Sequence, residues 1–267
     1  MKNYFRKRIF FLIIIIFIFL VISRKLLTLV FEESYLENIF LVQFFLKLFL
    51  LFFTIILIRR DNLINWVYIN KNFFIALFFS VLLVYFSLQH TYEKLHELNI
   101  TLSSFKHYSY LSQCLITGFF EEFFFRILIF SYVCKSFFLY SEHKVYKQIL
   151  FTSFLFSIVH LTNLFNEDID KLSVLNQIMF AFIIGIILQS IFYRWHNIYL
   201  NSIIHGLINY NGMRKSKLFN IENNEIEVTS FDSFTQSLIT FVILGLILAL
   251  PIIIFSVKKR NNNLLKK

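Results

Sequence analysis

Long apolar runs separated by short polar stretches dominate the pattern of this chain. A membrane-spanning helix needs about 20 consecutive apolar residues, each adding about 1.5 Å of rise. About eight runs approach this length, and the fifth and seventh are shorter than the others. The pattern therefore predicts an all-α, polytopic membrane protein with about eight transmembrane helices. The runs cover residues 9–30, 39–58, 73–89, 109–138, 148–161, 174–193, 198–210 and 234–257.

The first run resembles a secretion signal, because a basic segment precedes apolar residues 9–22. A cleaved signal peptide ends in a small-x-small site, whereas here Ser23, Arg24 and Lys25 follow the apolar residues. We interpret the run as a retained signal-anchor helix. The chain shows no internal repeat, and we expect residues 1–267 to form a single membrane domain.

Composition supports lipid as the main solvent of the chain. Hydrophobic residues make up 58% and charged residues 16% of the 267 positions. Soluble domains carry roughly 45–50% apolar and about 25% charged residues. With five glycines and one proline in all, long helices are favoured over a turn-rich sheet.

The net charge of +10 comes from basic residues that flank the apolar runs. We therefore expect the bilayer as a partner and no nucleic acid. Placing both termini in the cytoplasm puts most of these residues inside, as the positive-inside rule requires. The composition suggests a bacterial plasma membrane. The predicted cytoplasmic basic residues are Lys2, Arg6, Lys7, Arg8, Arg59, Arg60, Lys71, Lys135, Lys144, Lys147, Arg194, Lys258, Lys259, Arg260, Lys266 and Lys267.

Five acidic, arginine or histidine side chains lie well inside three of the predicted spans. Glu121 and Glu122 are the only acidic residues there, Arg126 is the one deep arginine, and two histidines, His160 and His205, join them. An ionisable group is costly in hydrocarbon, so each one is a functional hypothesis by default. Taken singly, each histidine could equally form a hydrogen bond between helices.

The spacing of these residues places some of them on shared helix faces. Glu122 and Arg126 are separated by four residues, so they can form a buried ion pair, while Glu121 points about 100° away. That ion pair could serve packing alone. His205 and Asn209 are also four residues apart and can face one cavity.

Two glycines, a lysine and two cysteines in the predicted spans allow further predictions. Gly118 would let another helix or a substrate approach closely, and Gly206 would permit close helix packing. Lys47 lies inside a span with Gln43 one turn before it, and we expect it to reach the interface or to pair with a carboxylate. Cys114 and Cys134 lie far apart along one predicted helix, so they cannot form a disulfide within it. No CxxC is present, which argues against a thiolate zinc site.

Three motifs in order resemble the signature of the CPBP (CAAX protease and bacteriocin-processing, or Abi) family of intramembrane proteases. They are Glu121-Glu122-x-x-x-Arg126, Phe156-x-x-x-His160 and His205-x-x-x-Asn209. The resemblance covers about residues 109–210, which we take as the protease core. It extends to Ser153, Asn163, Gly185, Tyr193 and Arg194. It implies an eight-helix, all-α membrane fold and an intramembrane endopeptidase that acts on a peptide or membrane-protein substrate.

The resemblance and the chemistry of peptide hydrolysis together suggest a role for each residue. Hydrolysis needs an activated water and a stabiliser of the oxyanion. Under this hypothesis Glu121 is the general base and His160 orients the water. His205 and Asn209 face the scissile carbonyl, and Asn209 donates to the oxyanion. Glu122 and Arg126 support these groups.

A zinc ion is a further possibility that the sequence leaves open. Glu121, His160 and His205 would supply three N and O ligands and leave an open position for water. A metal-free glutamate–histidine mechanism is equally compatible with the residues. HExxH, GxSxG and GxGD are absent, which argues against zincins and against serine or aspartate intramembrane proteases.

Two functions from other classes remain as alternatives. A non-catalytic protein of the same fold, such as a bacteriocin-immunity factor or a sensor scaffold, would use the polar cluster for structure only. A transporter could use Glu121, Glu122 and Arg126 as an ion relay. The chain lacks paired halves and inverted repeats, which makes the transporter the weaker of the two.

Overall fold

The computed structural model describes residues 2–30, 36–63, 104–136, 145–165, 171–195 and 197–212. Within these ranges the chain is helical apart from short connections and contains no strand, which confirms the all-α prediction. The α-helices are α1 (Lys2–Val30), α2 (Leu36–Arg60), α3 (Ser104–Glu122), α4 (Phe130–Ser136), α5 (Val145–Val159), α6 (Lys171–Trp195) and α7 (Ile198–Gly212). A π-helical segment (Phe123–Ile129) joins α3 to α4, and a 3₁₀ segment (His160–Phe165) continues α5.

Three of the described helical stretches are long and apolar enough to cross a membrane. They are Phe40–Arg60, Tyr146–Phe165 and Lys171–Tyr193. Large apolar side chains on α2, such as Phe45, Phe49 and Phe52, are exposed, as expected of a surface that lipid covers. The count of eight spans and the cytoplasmic termini stay predictions. The runs at 73–89 and 234–257 lie outside the described residues.

The chain divides into two compact units. The first contains α1 as far as Lys25, α4, α5, the 3₁₀ segment and α6. Within it α5 and α6 pack closely at Gly185, where an added Cβ would lie 3.1 Å from Cβ of Ser153. Asn163 of the 3₁₀ segment donates a hydrogen bond to Gln177 of α6. These contacts fix the end of α5, where His160 lies.

The second unit contains α2, α3, the π segment as far as Leu128, and α7. Its closest packing joins α3 and α7 through two glycines. A Cβ on Gly118 would lie 2.5 Å from the carbonyl oxygen of Ser202, and one on Gly206 would lie 2.9 Å from Cα of Leu115. Only hydrogen fits at these positions, so the two backbones touch. This confirms the close approach predicted for both glycines.

Aromatic side chains pack together where α2, α3 and α7 meet. Phe40, Tyr110, Cys114 and Tyr210 form a buried cluster. The hydroxyl of Tyr110 donates to the backbone carbonyl of Tyr210 at 3.4 Å, and their ring centroids lie 5.5 Å apart. Cys114 and Cys134 are both buried, and neither forms a disulfide within the described part of the chain. The cluster fixes the rotation of α7 against α3, which determines where the polar side chains of both helices point.

Candidate active site

Glu122 ends α3 directly before the π segment and is completely buried. Its neighbour Arg126, also completely buried, lies four residues later and directs Nε toward both carboxylate oxygens at 3.3 and 3.1 Å. The predicted Glu122–Arg126 ion pair is therefore present. A buried carboxylate is stable only when it is paired and hydrogen-bonded. Arg126, on the same helical stretch, supplies both the opposite charge and the hydrogen bonds to Glu122.

Two residues of α7 bind the same carboxylate from the other side. Nδ1 of His205 lies 3.0 Å from Oε1 of Glu122, and the amide nitrogen of Asn201 donates to Oε2 at 3.3 Å. An ionised carboxylate can only accept hydrogen bonds, so Nδ1 of His205 carries a hydrogen and donates it. Glu122 thus fixes both the tautomer and the ring orientation of His205.

The opposite nitrogen of His205 faces the second glutamate. Nε2 lies 3.4 Å from Oε2 of Glu121, a buried oxygen with no hydrogen bond among the described residues. The side chain of Glu121 is 15% exposed, whereas that of Glu122 is 0% exposed. The two adjacent glutamates therefore differ in surroundings: both oxygens of Glu122 have hydrogen-bond partners, whereas Oε2 of Glu121 has none among the described residues.

A lysine from α2 contacts the other oxygen of Glu121. Nζ of Lys47 lies 3.9 Å from Oε1 and 5.1 Å from the ring centroid of Phe120. One turn earlier on the same helix, the side chain of Gln43 accepts a hydrogen bond from Gln113 of α3. The expectation that Lys47 pairs with a carboxylate is confirmed.

The contact between the α3 and α7 backbones explains how these short side chains meet. Gly118 lies one turn before Glu122, and Gly206 directly follows His205. Because neither glycine has a side chain, the helices approach until their backbones touch, and carboxylate and imidazole can then form direct contacts. The site thus depends on two residues that carry no functional group.

Asn209 and His160 are the two remaining predicted site residues. Asn209 is partly buried on α7, one turn after His205, and its role as an oxyanion donor stays a prediction. His160 is the first residue of the 3₁₀ segment, and its ring packs perpendicular to that of Phe156 with centroids 5.3 Å apart. It belongs to the first unit, and its participation in the site also stays a prediction.

Asn201 is the site residue that the sequence analysis missed. It lies four residues before His205, as Asn209 lies four residues after it, so the three share one face of α7. That periodicity was the available signal. An asparagine in an apolar helix is common enough that the spacing alone does not identify its partner.

The predicted zinc site can be compared with the donors that the structure brings together. Oε2 of Glu121 and Nε2 of His205 face each other, and an oriented imidazole of this kind suits a metal. No group of three or more His, Cys, Asp or Glu side chains in the described part of the chain has metal-binding geometry. Zinc at Glu121, His160 and His205 stays a prediction.

Comparison with known families adds to this geometry. Residues 103–211 match the family model described as type II CAAX prenyl endopeptidase Rce1-like. Over these residues the chain is similar to the Rce1-like family. The match includes all three motifs, and it agrees with the resemblance to CAAX-type proteases. It does not extend to α1 or α2.

The similarity to this protease family and the three apolar helical stretches together indicate an integral membrane protein. No curated protein and no solved structure matches the chain.

Proposed function

We propose that this protein is an intramembrane endopeptidase that cleaves a peptide or membrane-protein substrate with water activated by Glu121 and His205. One observation carries the proposal. Glu122 holds Nδ1 of His205 at 3.0 Å, so that Nε2 faces the partly exposed Glu121 carboxylate at 3.4 Å. A base oriented by a second group, itself fixed by a third, is the arrangement that proton-transfer catalysis requires.

The reaction would proceed by addition and elimination at the scissile carbonyl. Glu121 removes a proton from a water whose oxygen attacks the carbonyl carbon, and the carbonyl oxygen takes up the negative charge. His205 and Asn209 face this carbonyl, and Asn209 donates a hydrogen bond to the oxyanion. The tetrahedral intermediate then collapses, the C–N bond breaks, and the proton held by Glu121 passes to the leaving amine. His160 would orient the water.

The description of the family suggests a substrate class. A CAAX motif is a C-terminal cysteine followed by three residues, and the cysteine carries a prenyl group. We propose a lipid-anchored or membrane-embedded peptide as substrate, because the site lies on helices that we assign to the bilayer. Prenylated and unmodified peptides both fit this class, and a bacterial plasma membrane is the proposed location.

Purified protein in proteoliposomes tests the proposal directly. The substrates are a farnesylated peptide ending in a CAAX sequence and the same peptide without the lipid, with products identified by mass spectrometry. We expect the wild type and Lys147→Met, a change at an exposed lysine of α5, to cleave at least one peptide. Glu121→Gln should lower kcat by about 100-fold or more, as expected for loss of a general base.

The same experiment addresses the non-catalytic alternative. A scaffold or immunity protein would cleave neither peptide, and its Glu121→Gln variant would keep any cellular phenotype of the wild type. If Glu121→Gln cleaves as fast as the wild type, the carboxylate is not the base and the proposed function is wrong.

A further inference from the structure

Lys47 is a charged group at the candidate site that lies outside the Rce1-like segment. It belongs to α2, within the apolar stretch Phe40–Arg60, whereas the family match begins at residue 103. A lysine in the hydrocarbon region is costly unless a partner compensates its charge. Its position beside Glu121 therefore needs an explanation beyond helix packing.

The geometry divides the carboxylate of Glu121 between two neighbours. Oε1 faces Nζ of Lys47 at 3.9 Å, and Oε2 faces Nε2 of His205 at 3.4 Å. The Lys47 side chain is only 13% exposed, and its ammonium also lies over the ring of the buried Phe120. Both contacts restrict where the ammonium can lie, and a fixed ammonium restricts the rotation of the carboxylate.

We propose that Lys47 is a positioning residue for Glu121. Helix α2 would then contribute to an active site whose other residues lie in the segment that matches the family model, residues 103–211. The ammonium holds Oε1 and thereby keeps Oε2 directed at His205 and at the water that Glu121 activates. This inference rests on the proposed function, since it assigns to Lys47 a role in the action of that base. Lys47 acts through Glu121, which makes it a positioning residue and not a catalytic one.

A role in packing alone would have a different signature, and α2 provides the control. Gln43, one turn before Lys47, hydrogen-bonds to Gln113 of α3 and therefore joins the same two helices without a charge. Gln43→Leu removes a polar contact between α2 and α3 but leaves the Lys47–Glu121 pair. If Lys47 merely docks α2, changes at the two positions should have similar effects.

Kinetics of Lys47→Met, Lys47→Arg and Gln43→Leu test the proposal on a peptide that the wild type cleaves and Glu121→Gln does not. A misplaced catalytic group costs up to about 100-fold in rate, so we expect Lys47→Met to lower kcat by about 10- to 100-fold. KM should stay nearly constant. Lys47→Arg should recover most of kcat, and Gln43→Leu should keep it.

Other outcomes overturn the inference. An unchanged kcat in Lys47→Met, a raised KM with constant kcat, or an equal loss of kcat in Gln43→Leu would each contradict positioning. If Glu121→Gln is fully active, the proposed function fails and this inference fails with it. If Glu121→Gln is inactive while Lys47→Met is fully active, only this inference fails.

Thermal unfolding of the detergent-solubilised protein measures the pair without catalysis. Lys47→Met should lower Tm in the wild-type background and change it much less in the Glu121→Gln background, because the two side chains interact directly. Strictly additive shifts in Tm would show that the side chains do not interact and would overturn the inference.

Discussion

Glu121 and Glu122 are neighbours in the sequence with opposite surroundings in the structure. Glu122 is buried and binds Arg126, Asn201 and His205, whereas Glu121 is partly exposed and shares its oxygens between Lys47 and His205. The sequence predicted this division of roles from the i,i+4 spacing of Glu122 and Arg126. It could not predict Asn201, since helical periodicity shows that a residue shares a face with His205 but not what it contacts.

The difference in burial predicts different effects for Glu122→Gln and Glu121→Gln. The first should mainly lower stability, and the second should mainly lower activity. Glu122→Gln leaves the buried Arg126 without its counter-charge, and breaking such a pair costs about 3–5 kcal/mol. Glu121→Gln weakens a longer contact, 3.9 Å to Lys47, at a carboxylate that is partly exposed, so we expect a smaller loss. Unfolding by SDS titration in mixed micelles measures both free energies. Equal losses from the two changes would contradict the assignment of Glu122 as the structural carboxylate.

Two asparagines on α7 provide a second comparison. Asn201→Ala removes a hydrogen bond to the Glu122 carboxylate, which is worth about 1.5–3 kcal/mol for a charged acceptor, and should lower the unfolding free energy. Asn209→Ala should leave stability nearly unchanged and lower kcat by about 100-fold or more, as loss of an oxyanion donor does. If Asn209→Ala keeps full kcat, Asn209 does not stabilise the oxyanion.

At the scale of elements, the backbone contact between α3 and α7 decides the site. The sequence predicted close packing at Gly118 and Gly206, because small residues let membrane helices approach. It predicted residues 109–138 as one continuous span. The structure is helical without interruption as far as Ser136, and it adds a feature that was not predicted, a π segment with Arg126 between α3 and α4. Apolar periodicity does not distinguish a π turn from an α turn, and π segments are frequent at functional sites.

Adding one methyl group at this contact should separate the helices. In Gly118→Ala the new Cβ would lie 2.5 Å from the Ser202 carbonyl oxygen and 2.6 Å from the Gly206 nitrogen, both backbone atoms that cannot move aside. We expect a stability loss of about 1–3 kcal/mol and a large loss of kcat.

Gly185→Ala is the matched control for that substitution. Its Cβ would first meet the side chains of Ser153 and Phe156 at 3.1 and 3.2 Å, so we expect a smaller stability loss. Both free energies follow from SDS titration in mixed micelles. If Gly118→Ala is as stable and as active as the wild type, the backbones do not touch and the described site geometry is wrong.

At the scale of the whole molecule, the sequence predicts more membrane spans than the described residues can test. The apolar runs predict about eight spans, of which three are candidates in the described part. The family match covers residues 103–211 and leaves α2 unexplained, although α2 supplies Lys47. Pattern alone could not place Lys47 beside Glu121, because the two residues are far apart in the chain and their contact is tertiary.

The predicted orientation can be measured with reporters. Because basic residues flank the even-numbered loops and both ends, we expect both termini in the cytoplasm. Each terminus is fused in turn to a reporter that fluoresces only in the cytoplasm and to a reporter that is active only outside it. We expect a signal from the first reporter and none from the second at both termini. Termini on opposite sides would require an odd number of spans and contradict the count of eight.

The central claim is that Glu121 activates water for peptide cleavage within the membrane. Its most direct test compares cells that express the wild type with cells that express Glu121→Gln at equal membrane levels. Mass spectrometry of released peptides and new protein termini is the measurement. We predict a set of cleavage products that is present with the wild type and lost with Glu121→Gln. Identical product profiles from the two strains would contradict the claim.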